Sequence, residues 1–282
     1  MLHYSPVVLV NGIILCAEGK FGMSLKLTIA GCCGRMGQRI ARLALQDSRY
    51  ILAAVFESHA HTAIGRVLAE LLPESKAQGL TIQGDAKAAM AQGHVTIDFT
   101  SPEATDEHVQ LAVQLGKAMV IGTTGLSQQQ VASVRQAAQR IPIVMSPNMS
   151  LGVNVLFDLA QLAAVRLGTS FDVAIVESHH KHKKDAPSGT AKRLAQVVES
   201  ARKEQTNAVA IHSVRAGEII GDHTVIFSGP SECLELTHRA QTRETFAEGA
   251  LVAAEFVHSQ PPGLYDMSNV IKWRAASTVS RE

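Results

Sequence analysis

The chain has 282 residues, of which 46% are hydrophobic and 18% charged, and its formal net charge at pH 7 is +1. This length and apolar content allow a full core in one or two domains and exclude a disordered protein. A net charge so close to zero excludes a global electrostatic attraction to nucleic acid or to an anionic membrane surface. We therefore expect two domains whose partners are recognised locally.

The first 22 residues are expected to be an extension before the first domain, which begins at Met23. Residues 5–17 are apolar, but they lack the Lys/Arg-rich start of a signal peptide. Asn11 and Gly12 interrupt them well short of a membrane-spanning length. A cleaved signal is the alternative, and a protein without membrane attachment is the expectation.

The cysteine spacing predicts neither a zinc site nor a redox pair. No two of the four cysteines are separated by two residues, the spacing that such sites use. We therefore expect no metal and a reducing, cytoplasmic location. The cysteines are Cys16, Cys32, Cys33 and Cys233.

Residues 23–148 are predicted to form a dinucleotide-binding domain with a Rossmann-like parallel sheet. Short apolar strands alternate there with stretches of helical periodicity, and this alternation implies right-handed parallel crossovers. The predicted strands are Leu25–Ala30, Ile51–Phe56, Val95–Phe99, Ala118–Ile121 and Ile141–Met145, and the predicted helices are 35–46, 103–115 and 127–140.

Residues 149–242 are predicted to form a second, α+β domain with a mixed or antiparallel sheet. Glycines at the turns favour the antiparallel arrangement, with helices on one face. Residues 243–282, which include a helix over 244–258, are expected to return to the first domain. The predicted elements are helix 150–167, strand Phe171–Ser178, helix 189–203 and strands 209–215, 222–228 and 232–239.

The glycine-rich turn Gly31-Cys-Cys-Gly34-Arg-Met-Gly37 follows the first strand and opens the first helix. Glycines there permit a tight turn, and the N–H groups at the positive end of the helix can hold a pyrophosphate. The spacing is relaxed, because the strict G-x-G-x-x-G pattern has glycine where Cys32 stands. Glu57, at the end of the second strand, suits the acid that accepts hydrogen bonds from the adenosine ribose. An ordinary turn with a surface acid is the alternative.

The residue after Glu57 bears on which nicotinamide is used. The residue that follows is Ser58, so no cation is placed there to bind a 2′-phosphate, and the Glu57 carboxylate would repel such a phosphate. The sequence therefore predicts that NADH is used at least as well as NADPH.

Two later loops are expected at the same edge of the sheet. Gly122-Thr-Thr-Gly125 and Ser146-Pro-Asn-Met149 each follow a predicted parallel strand, and cofactors bind at the carboxyl ends of such strands. Their backbone groups could face the nicotinamide. Purely structural turns would have the same sequence pattern.

The segment Glu177-Ser-His-His-Lys-His-Lys-Lys-Asp-Ala-Pro-Ser-Gly-Thr190 runs from a strand into the start of a helix. In an extended chain alternate residues share a face, so His179, Lys181 and Lys183 are predicted to point one way. His180 and His182 are predicted to point the other way. Either face offers imidazole together with a base or a cation.

This segment also predicts a site for carboxylates. Ser188 can cap the following helix and leave the N–H groups of Gly189 and Thr190 free at its positive end. Lys183 adds a full charge, and a histidine with a pKa of about 6.5 can deliver a proton near neutral pH. We therefore predict hydride reduction of a small dicarboxylate, followed by protonation.

Other interpretations stay open. The segment could be a zinc site at His180 and His182, a basic patch for nucleic acid, or a solvated loop. The chain could be another nicotinamide oxidoreductase, such as a semialdehyde or homoserine dehydrogenase, although these would not need residues 179–190. It could also be a regulator that binds NAD(H) without turnover.

From about Leu25 to Ile271 the chain resembles the dihydrodipicolinate reductase (4-hydroxy-tetrahydrodipicolinate reductase) family of the diaminopimelate and lysine pathway. The Glu177–Ala191 segment is far more specific to this family than the glycine turn. The other motifs that carry the resemblance are Gly31–Gly37, Asp98-Phe-Thr, Gly122–Gly125, Asn148–Asn154, Val214-Arg-Ala-Gly-Glu and Gly221-Asp-His.

The resemblance implies a reaction and residue roles. Hydride reaches ring C4 of the cyclic substrate formed from pyruvate and aspartate semialdehyde, water having been lost, and protonation yields tetrahydrodipicolinate. His179 matches the proton donor and Lys183 its partner, while His180, Gly189 and Thr190 match groups that hold the substrate carboxylates. The implied cofactor residues are Gly31, Cys32, Cys33, Gly34, Arg35, Met36, Glu57, Gly122, Thr123, Thr124, Ser146, Pro147, Asn148 and Met149.

The resemblance also implies a homotetramer assembled through the sheet of the substrate domain, with hinges near Asn148 and Gln241 that close the cleft. Some members carry arginines where this chain has Ser58 and Ser101, so a preference for NADPH is not implied. The extension before Met23 has no counterpart in the family.

Overall fold

The computed structural model describes residues 7–10, 13–16, 24–72, 77, 79–203 and 208–279. Within the predicted extension it describes only two backbone strands, β1 (Val7–Val10) and β2 (Ile13–Cys16), which pair antiparallel. The rest of residues 1–22 lies outside the described part of the chain.

The larger sheet has seven strands, and all neighbouring pairs in it are parallel. The strands are β3 (Leu25–Ala30), β4 (Tyr50–Phe56), β5 (Ile82–Gln83), β6 (Val95–Asp98), β7 (Ala118–Ile121), β8 (Pro142–Met145) and β13 (Gly263–Tyr265). Their order across the sheet is β13-β8-β7-β6-β3-β4-β5. Strands β6 and β7 are buried at every residue, as expected for a parallel sheet that is covered on both faces.

Helices cover both faces of this sheet. The helices are α1 (Arg35–Gln46), α2 (Ala86–Gln92), α3 (Pro102–Leu115), α4 (Gln128–Ala137), α7 (Glu244–His258) and α8 (Met267–Val279), and a short 3₁₀ helix spans Leu68–Glu70. Apolar residues of α1, α7 and α8 form one buried cluster with the sheet, and those of α2, α3 and α4 form another. The predicted Rossmann-like fold is therefore confirmed.

Local signals explain where several of these helices begin and end. Ser101 caps α3, which carries proline in its first turn and ends at Gly116 with φ +64°. Ser127 and Gln130 form a capping box at the start of α4. The predicted α4 ran to residue 140, three residues beyond its end at Ala137.

The second sheet is mixed rather than purely antiparallel. Its strands are β9 (Asp172–His179), β10 (Ala210–Arg215), β11 (Asp222–Ser228) and β12 (Cys233–Arg239), in the order β10-β9-β11-β12. The pair β9 and β10 is parallel, and the other pairs are antiparallel. The predicted mixed sheet is confirmed, whereas the antiparallel arrangement favoured by the turn glycines does not extend to β10. Helix α6 (Gly189–Arg202) crosses over between β9 and β10 and returns the chain to the same end, so this pair is parallel.

Helices α5 (Leu151–Leu167) and α6 pack together on one face of the second sheet and share a buried apolar cluster with β9 and β11. A 3₁₀ turn, Gly168–Ser170, follows α5. Within the described part of the chain, Leu151–Ser170 is the one helical stretch long and apolar enough to cross a membrane. Length and apolarity are the sole basis for this, and core helices of soluble proteins also meet both criteria.

After the second sheet the chain returns to the first. Helix α7 packs against α1 and against strands β6, β7 and β8, and β13 pairs in parallel with β8 at the edge of the seven-stranded sheet. The sequence predicted α7 with its observed bounds but assigned no element to β5, α2, β13 or α8. Strand β5 has two residues and α2 has seven, so neither is long enough for a clear periodicity.

Candidate active site

A cleft of about 1390 Å³ is lined by residues of both sheets and their loops. The histidine-lysine segment lies on one side, and the loops at the carboxyl ends of the parallel strands lie on the other. The residues of the predicted site that line the cleft are Arg35, Met36, Gly122, Thr124, Ser146, Pro147, Asn148, Met149, His179, His180, Lys183, Gly189 and Thr190. Gly31, Cys32, Cys33, Gly34, Glu57 and Thr123 are not part of its lining.

The glycine-rich turn packs more closely than any side chain would allow. A Cβ at Gly37 would lie 2.1 Å from the carbonyl oxygen of Gly31, which itself has φ +66°. Helix α1 starts directly after the turn, and its N-cap, Gly34, provides no capping side chain. The N–H groups at this helix end are therefore placed to bind an anion, so the turn fits the pyrophosphate of a dinucleotide.

Glu57 is fixed beside this turn at the end of β4. Its Oε1 accepts a hydrogen bond of 2.8 Å from the backbone N–H of Cys33. Cys32 lies in the core beneath the turn, where burial raises the pKa of its thiol. Cys32 can therefore contact a cofactor through its backbone alone.

The loops after β6 and β7 are joined by a buried carboxylate. Asp98 accepts hydrogen bonds from the backbone N–H and the hydroxyl of Thr100, at 2.9 and 2.6 Å, and its other oxygen lies 2.8 Å from Nδ1 of His108. The Thr123 hydroxyl also donates to Asp98, at 3.3 Å, and Thr123 is only 7% exposed. Its side chain thus points away from the cleft, so only its backbone is placed to meet a cofactor.

Phe99 depends on a glycine opposite it. A Cβ at Gly122 would lie 2.2 Å from the Phe99 ring, and both residues line the cleft. Glycine at this position therefore lets an aromatic face approach the next loop. This contact provides a flat apolar surface beside the predicted nicotinamide loops.

Asn148 connects the two sides of the cleft. Its side-chain amide donates a 3.0 Å hydrogen bond to the hydroxyl of Thr190, at the start of α6. Its backbone carbonyl accepts from the Ser146 hydroxyl at 2.9 Å. The loop after β8 is thereby tied to the proposed carboxylate site.

His179 ends β9 inside the cleft, and two residues without a predicted role hold it there. Glu177 lies on the same face of the strand, is 0% exposed, and its carboxylate is hydrogen-bonded to Nδ1 of His179. Arg215, at the end of β10, binds the same carboxylate. The two-residue spacing of Glu177 and His179 could have indicated the first contact, whereas the second depends on the pairing of β10 with β9.

Gly221 lies beside the other ring nitrogen of His179, Nε2. A Cβ at Gly221 would lie 3.1 Å from Nε2 of His179, so a larger residue would crowd this nitrogen. Burial lowers the pKa of His179, and the Lys183 and Arg215 charges lower it as well, while Glu177 opposes them. Because Nδ1 is already hydrogen-bonded to Glu177, Nε2 is the ring nitrogen available to a molecule in the cleft.

The chain turns immediately after His179, so the predicted extended alternation was wrong there. The backbone N–H of Lys183 donates to the carbonyl oxygen of His180 at 3.1 Å, which closes a turn. As a result His179, His180 and Lys183 all reach the cleft, and His182 does not. The ammonium group of Lys183 lies 2.7 Å from the carboxylate of Asp185.

The metal interpretation required His180 and His182 to act together. Among the described residues, the groups of potential ligand atoms are Cys32, Cys33 and Glu57, and separately Glu177, His179 and His223. Neither group contains His180 or His182. A zinc site at these two histidines therefore gains no support.

The start of α6 has the expected cap. The Ser188 hydroxyl accepts a 3.1 Å hydrogen bond from the N–H of Ala191 and lies 3.2 Å from Nε2 of His223. This bond leaves the N–H groups of Gly189 and Thr190 unused by the cap, and both residues line the cleft. The arrangement can accept a carboxylate at the positive end of the helix.

Comparison with known proteins gives a consistent result over both sheets. Residues 25–149 match the family profile described as "Dihydrodipicolinate reductase, N-terminus", and residues 152–271 match "Dihydrodipicolinate reductase, C-terminus". The chain is 42% identical over 268 residues to the 4-hydroxy-tetrahydrodipicolinate reductase of Syntrophus aciditrophicus, which covers 89% of this chain and 100% of that protein. It is 44% identical over 264 residues to the enzyme of the same name from Syntrophobacter fumaroxidans, covering 88% and 98%.

A solved structure is similar as well. The dipicolinate-bound dihydrodipicolinate reductase from Paenisporosarcina sp. TG-14 superposes with a TM-score of 0.72 at 27% identity, over 86% of this chain and 98% of that one. A probable dehydrogenase from Thermotoga maritima has a TM-score of 0.58 at 12% identity, which indicates a shared fold only.

Proposed function

The chain belongs to the dihydrodipicolinate reductase family, and from this premise we propose which of its residues carry out the family's reaction. It is an oxidoreductase of diaminopimelate and lysine biosynthesis that reduces 4-hydroxy-tetrahydrodipicolinate to tetrahydrodipicolinate with NADH or NADPH. One observation carries the assignment of residues: loops of the parallel sheet and the segment from His179 to Thr190 line the same cleft.

The substrate is held at its two carboxylates by the segment that joins β9 to α6. One carboxylate lies at the start of α6, against the N–H groups of Gly189 and Thr190, and His180 and Lys183 face the rest of the anion. The N–H groups at the start of α6 that the Ser188 cap does not use, together with the charge of Lys183, support this placement. The family member from Paenisporosarcina binds dipicolinate, a planar ring with two carboxylates, which is the same class of ligand.

His179 donates the proton. A reduced nicotinamide, when bound, supplies the hydride, and the carbon next to the reduced centre then needs a proton. His179 and Gly221 both line the cleft, Gly221 lies beside Nε2 of His179, and Glu177 is hydrogen-bonded to the opposite ring nitrogen. Because a histidine titrates near neutral pH, it can serve as an acid where a lysine or a carboxylic acid of ordinary pKa would not.

The cofactor lies along the carboxyl edge of the parallel strands. The pyrophosphate is held by the turn Gly31–Gly34 and the first residues of α1, and Glu57 accepts from the adenosine ribose. The loops Gly122–Thr124 and Ser146–Met149 face the nicotinamide. The fixed position of Glu57 beside the turn and the open helix end support this arrangement.

We expect kcat/KM with NADH to equal or exceed that with NADPH. The Glu57 carboxylate repels a 2′-phosphate, and the exposed Ser58 beside it offers no compensating cation. Steady-state assays with both nicotinamides measure the ratio. Ser58→Arg should raise kcat/KM for NADPH and leave that for NADH nearly unchanged. A strong preference of the unmodified protein for NADPH would contradict this assignment.

The chain assembles as a homotetramer through the open face of the second sheet. Helices α5 and α6 pack on one face, and strand alternation directs Val176, Val214 and Ile226 to the other. Val214 is 43% exposed in a single chain. An apolar sheet face of this kind supports burial against other copies.

Ile226→Lys is expected to convert the tetramer to smaller species in sedimentation velocity. Ile226 lies opposite Glu235 across the β11 and β12 pair, so the lysine can form an ion pair within one chain and spare its fold. In the tetramer the same charge would be buried at the interface. A tetramer that persists in the variant, or a monomer before substitution, would contradict the assembly.

The domain boundaries and the cellular location complete the proposal. Residues 1–22 are an extension, residues 23–148 and 243–282 form the dinucleotide-binding domain, and residues 149–242 form the substrate-binding and oligomerisation domain. The pairing of β13 with β8 supports the return of the last segment. A cytoplasmic location is supported by the free thiols of Cys32, Cys33 and Cys233.

A further inference from the structure

We propose that Glu177 and Arg215 are positioning residues that keep the His179 ring protonated at Nδ1, so that Nε2 always faces the substrate, and that connect His179 to the turn carrying Lys183. This inference rests on the proposed role of His179 as the proton donor. Neither Glu177 nor Arg215 lines the reacting centre through its own functional group; each acts through its neighbours.

The first step is the geometry of the Glu177 carboxylate. Arg215 binds it with two parallel hydrogen bonds, from Nη2 to Oε1 at 2.7 Å and from Nη1 to Oε2 at 3.0 Å. The backbone N–H of Ser188 donates to Oε1 at 3.3 Å, and Nδ1 of His179 is bonded to Oε2. A fully buried carboxylate is thus paired and hydrogen-bonded on both oxygens, which is the condition under which a buried charge is tolerated.

The second step is the protonation state of this carboxylate. Burial by itself would raise the pKa of Glu177, but hydrogen bonds from Arg215, Ser213 and His179 outweigh it and lower the pKa to about 2. An ionised carboxylate can only accept hydrogen bonds. Nδ1 of His179 must therefore carry a proton, both in the imidazolium and after Nε2 has given its proton to the substrate.

The third step is the set of charges around His179. Glu177 faces it from its own strand, Arg215 from β10, Lys183 from the turn and His223 from β11, with ring centroids of the two histidines 5.2 Å apart. Burial, together with the neighbouring His179, lowers the pKa of His223 to about 4, so His223 is neutral near pH 7. Glu177 is the group in this set that raises the pKa of His179.

The fourth step is the connection to Lys183. Nη2 of Arg215 also donates to the backbone carbonyl of Asp185, at 2.6 Å. The Asp185 carboxylate in turn lies 2.7 Å from the ammonium group of Lys183. One guanidinium therefore holds both the group that orients the proton donor and the turn that presents the substrate-binding lysine. A lysine at position 215 has no planar fork of two nitrogens, so it could not reproduce the two parallel hydrogen bonds to the Glu177 carboxylate.

Glu177→Gln tests the proposal, because glutamine keeps the shape and removes the charge. We expect kcat to fall by about tenfold or more, since the ring loses its fixed orientation. The reaction needs protonated His179, so kcat/KM falls as pH rises through the pKa of that group. The Glu177 charge raises this pKa, and without it the alkaline limb of the profile should move to lower pH.

Two further variants separate positioning from stability. Glu177→Asp restores the charge, so its alkaline limb should return toward that of the unmodified protein. Glu199→Gln is the matched control, because Glu199 is also a buried carboxylate of the same domain. Glu199 lies on α6 and accepts a 3.2 Å hydrogen bond from the backbone N–H of Val209. The alkaline limb of the Glu199→Gln profile should stay where it is in the unmodified protein. A Glu177→Gln limb that coincides with that of the unmodified protein overturns the proposal.

A spectroscopic measurement on the unmodified protein does not depend on the folding of any variant. The ¹⁵N shifts of neutral His179 should identify the Nδ1–H tautomer, and an Nε2–H tautomer would overturn the proposal. Failure of the proposed function has a different signature: His179→Gln would then retain full turnover. If His179→Gln is inactive while the alkaline limb of Glu177→Gln stays in place, the proposed function stands and only the positioning role is refuted.

Discussion

Replacing His179 with glutamine is expected to lower turnover by about 100-fold or more, while the Kd for NADH stays unchanged. Glutamine has a similar reach and polarity, but it cannot give up a proton near neutral pH. The cofactor turn belongs to the other sheet, whereas the His179 ring is held by Glu177 of its own strand. The effect should therefore appear in the chemical step and not in cofactor binding.

Turnover is measured by NADH oxidation, with substrate made in situ by the preceding synthase, and NADH binding by fluorescence titration. His182→Gln is the matched control, because His182 belongs to the same turn but lies outside the cleft lining. It should retain turnover close to that of the unmodified protein. If His179→Gln also retained it, His179 would have no part in proton transfer.

Lys183→Ala is expected to raise KM for the substrate and to lower kcat. The Lys183 side chain is 22% exposed and lines the cleft, so its charge acts on the bound anion with only partial screening by water. A charge-assisted hydrogen bond contributes about 1.5–3 kcal/mol, so kcat/KM should fall by roughly 10- to 150-fold. Part of the loss should be in kcat, because the carboxylate also orients the ring against His179.

The neighbouring lysine supplies a control for net charge. Lys184→Ala removes the same charge from the same turn, but Lys184 is not part of the cleft lining. Steady-state kinetics over a range of substrate concentrations should separate the two variants. Equal and small effects of both would mean that Lys183 acts only through the general electrostatic field.

Five of the seven strands of the parallel sheet could be predicted, because their signals are local. Strand β3 and helix α1 have the bounds that periodicity and the glycine turn indicated. Glu57 could be placed because the end of a strand fixes where the next side chain points. Short elements such as β5 and α2 could not be found, since two to seven residues carry too little pattern.

The site could be predicted where its residues form a contiguous motif or directly follow a strand of the parallel sheet. The segment from His179 to Thr190 was recognisable, but its alternation failed at the turn closed by Lys183 and His180. Arg215 follows Glu177 by 38 residues, and only the parallel register of β10 against β9 brings them together. Such a contact depends on strand order, which local sequence patterns do not determine.

A crystal structure of the protein with NADH and pyridine-2,6-dicarboxylate tests most directly whether the reaction takes place in this cleft. We predict the pyrophosphate at the Gly31–Gly34 turn and the dicarboxylate between Lys183 and Thr190. The nicotinamide C4 should approach the dicarboxylate ring to about 3–3.5 Å, the separation expected for reacting atoms. A dicarboxylate bound away from His179, or a nicotinamide directed out of the cleft, would contradict the account.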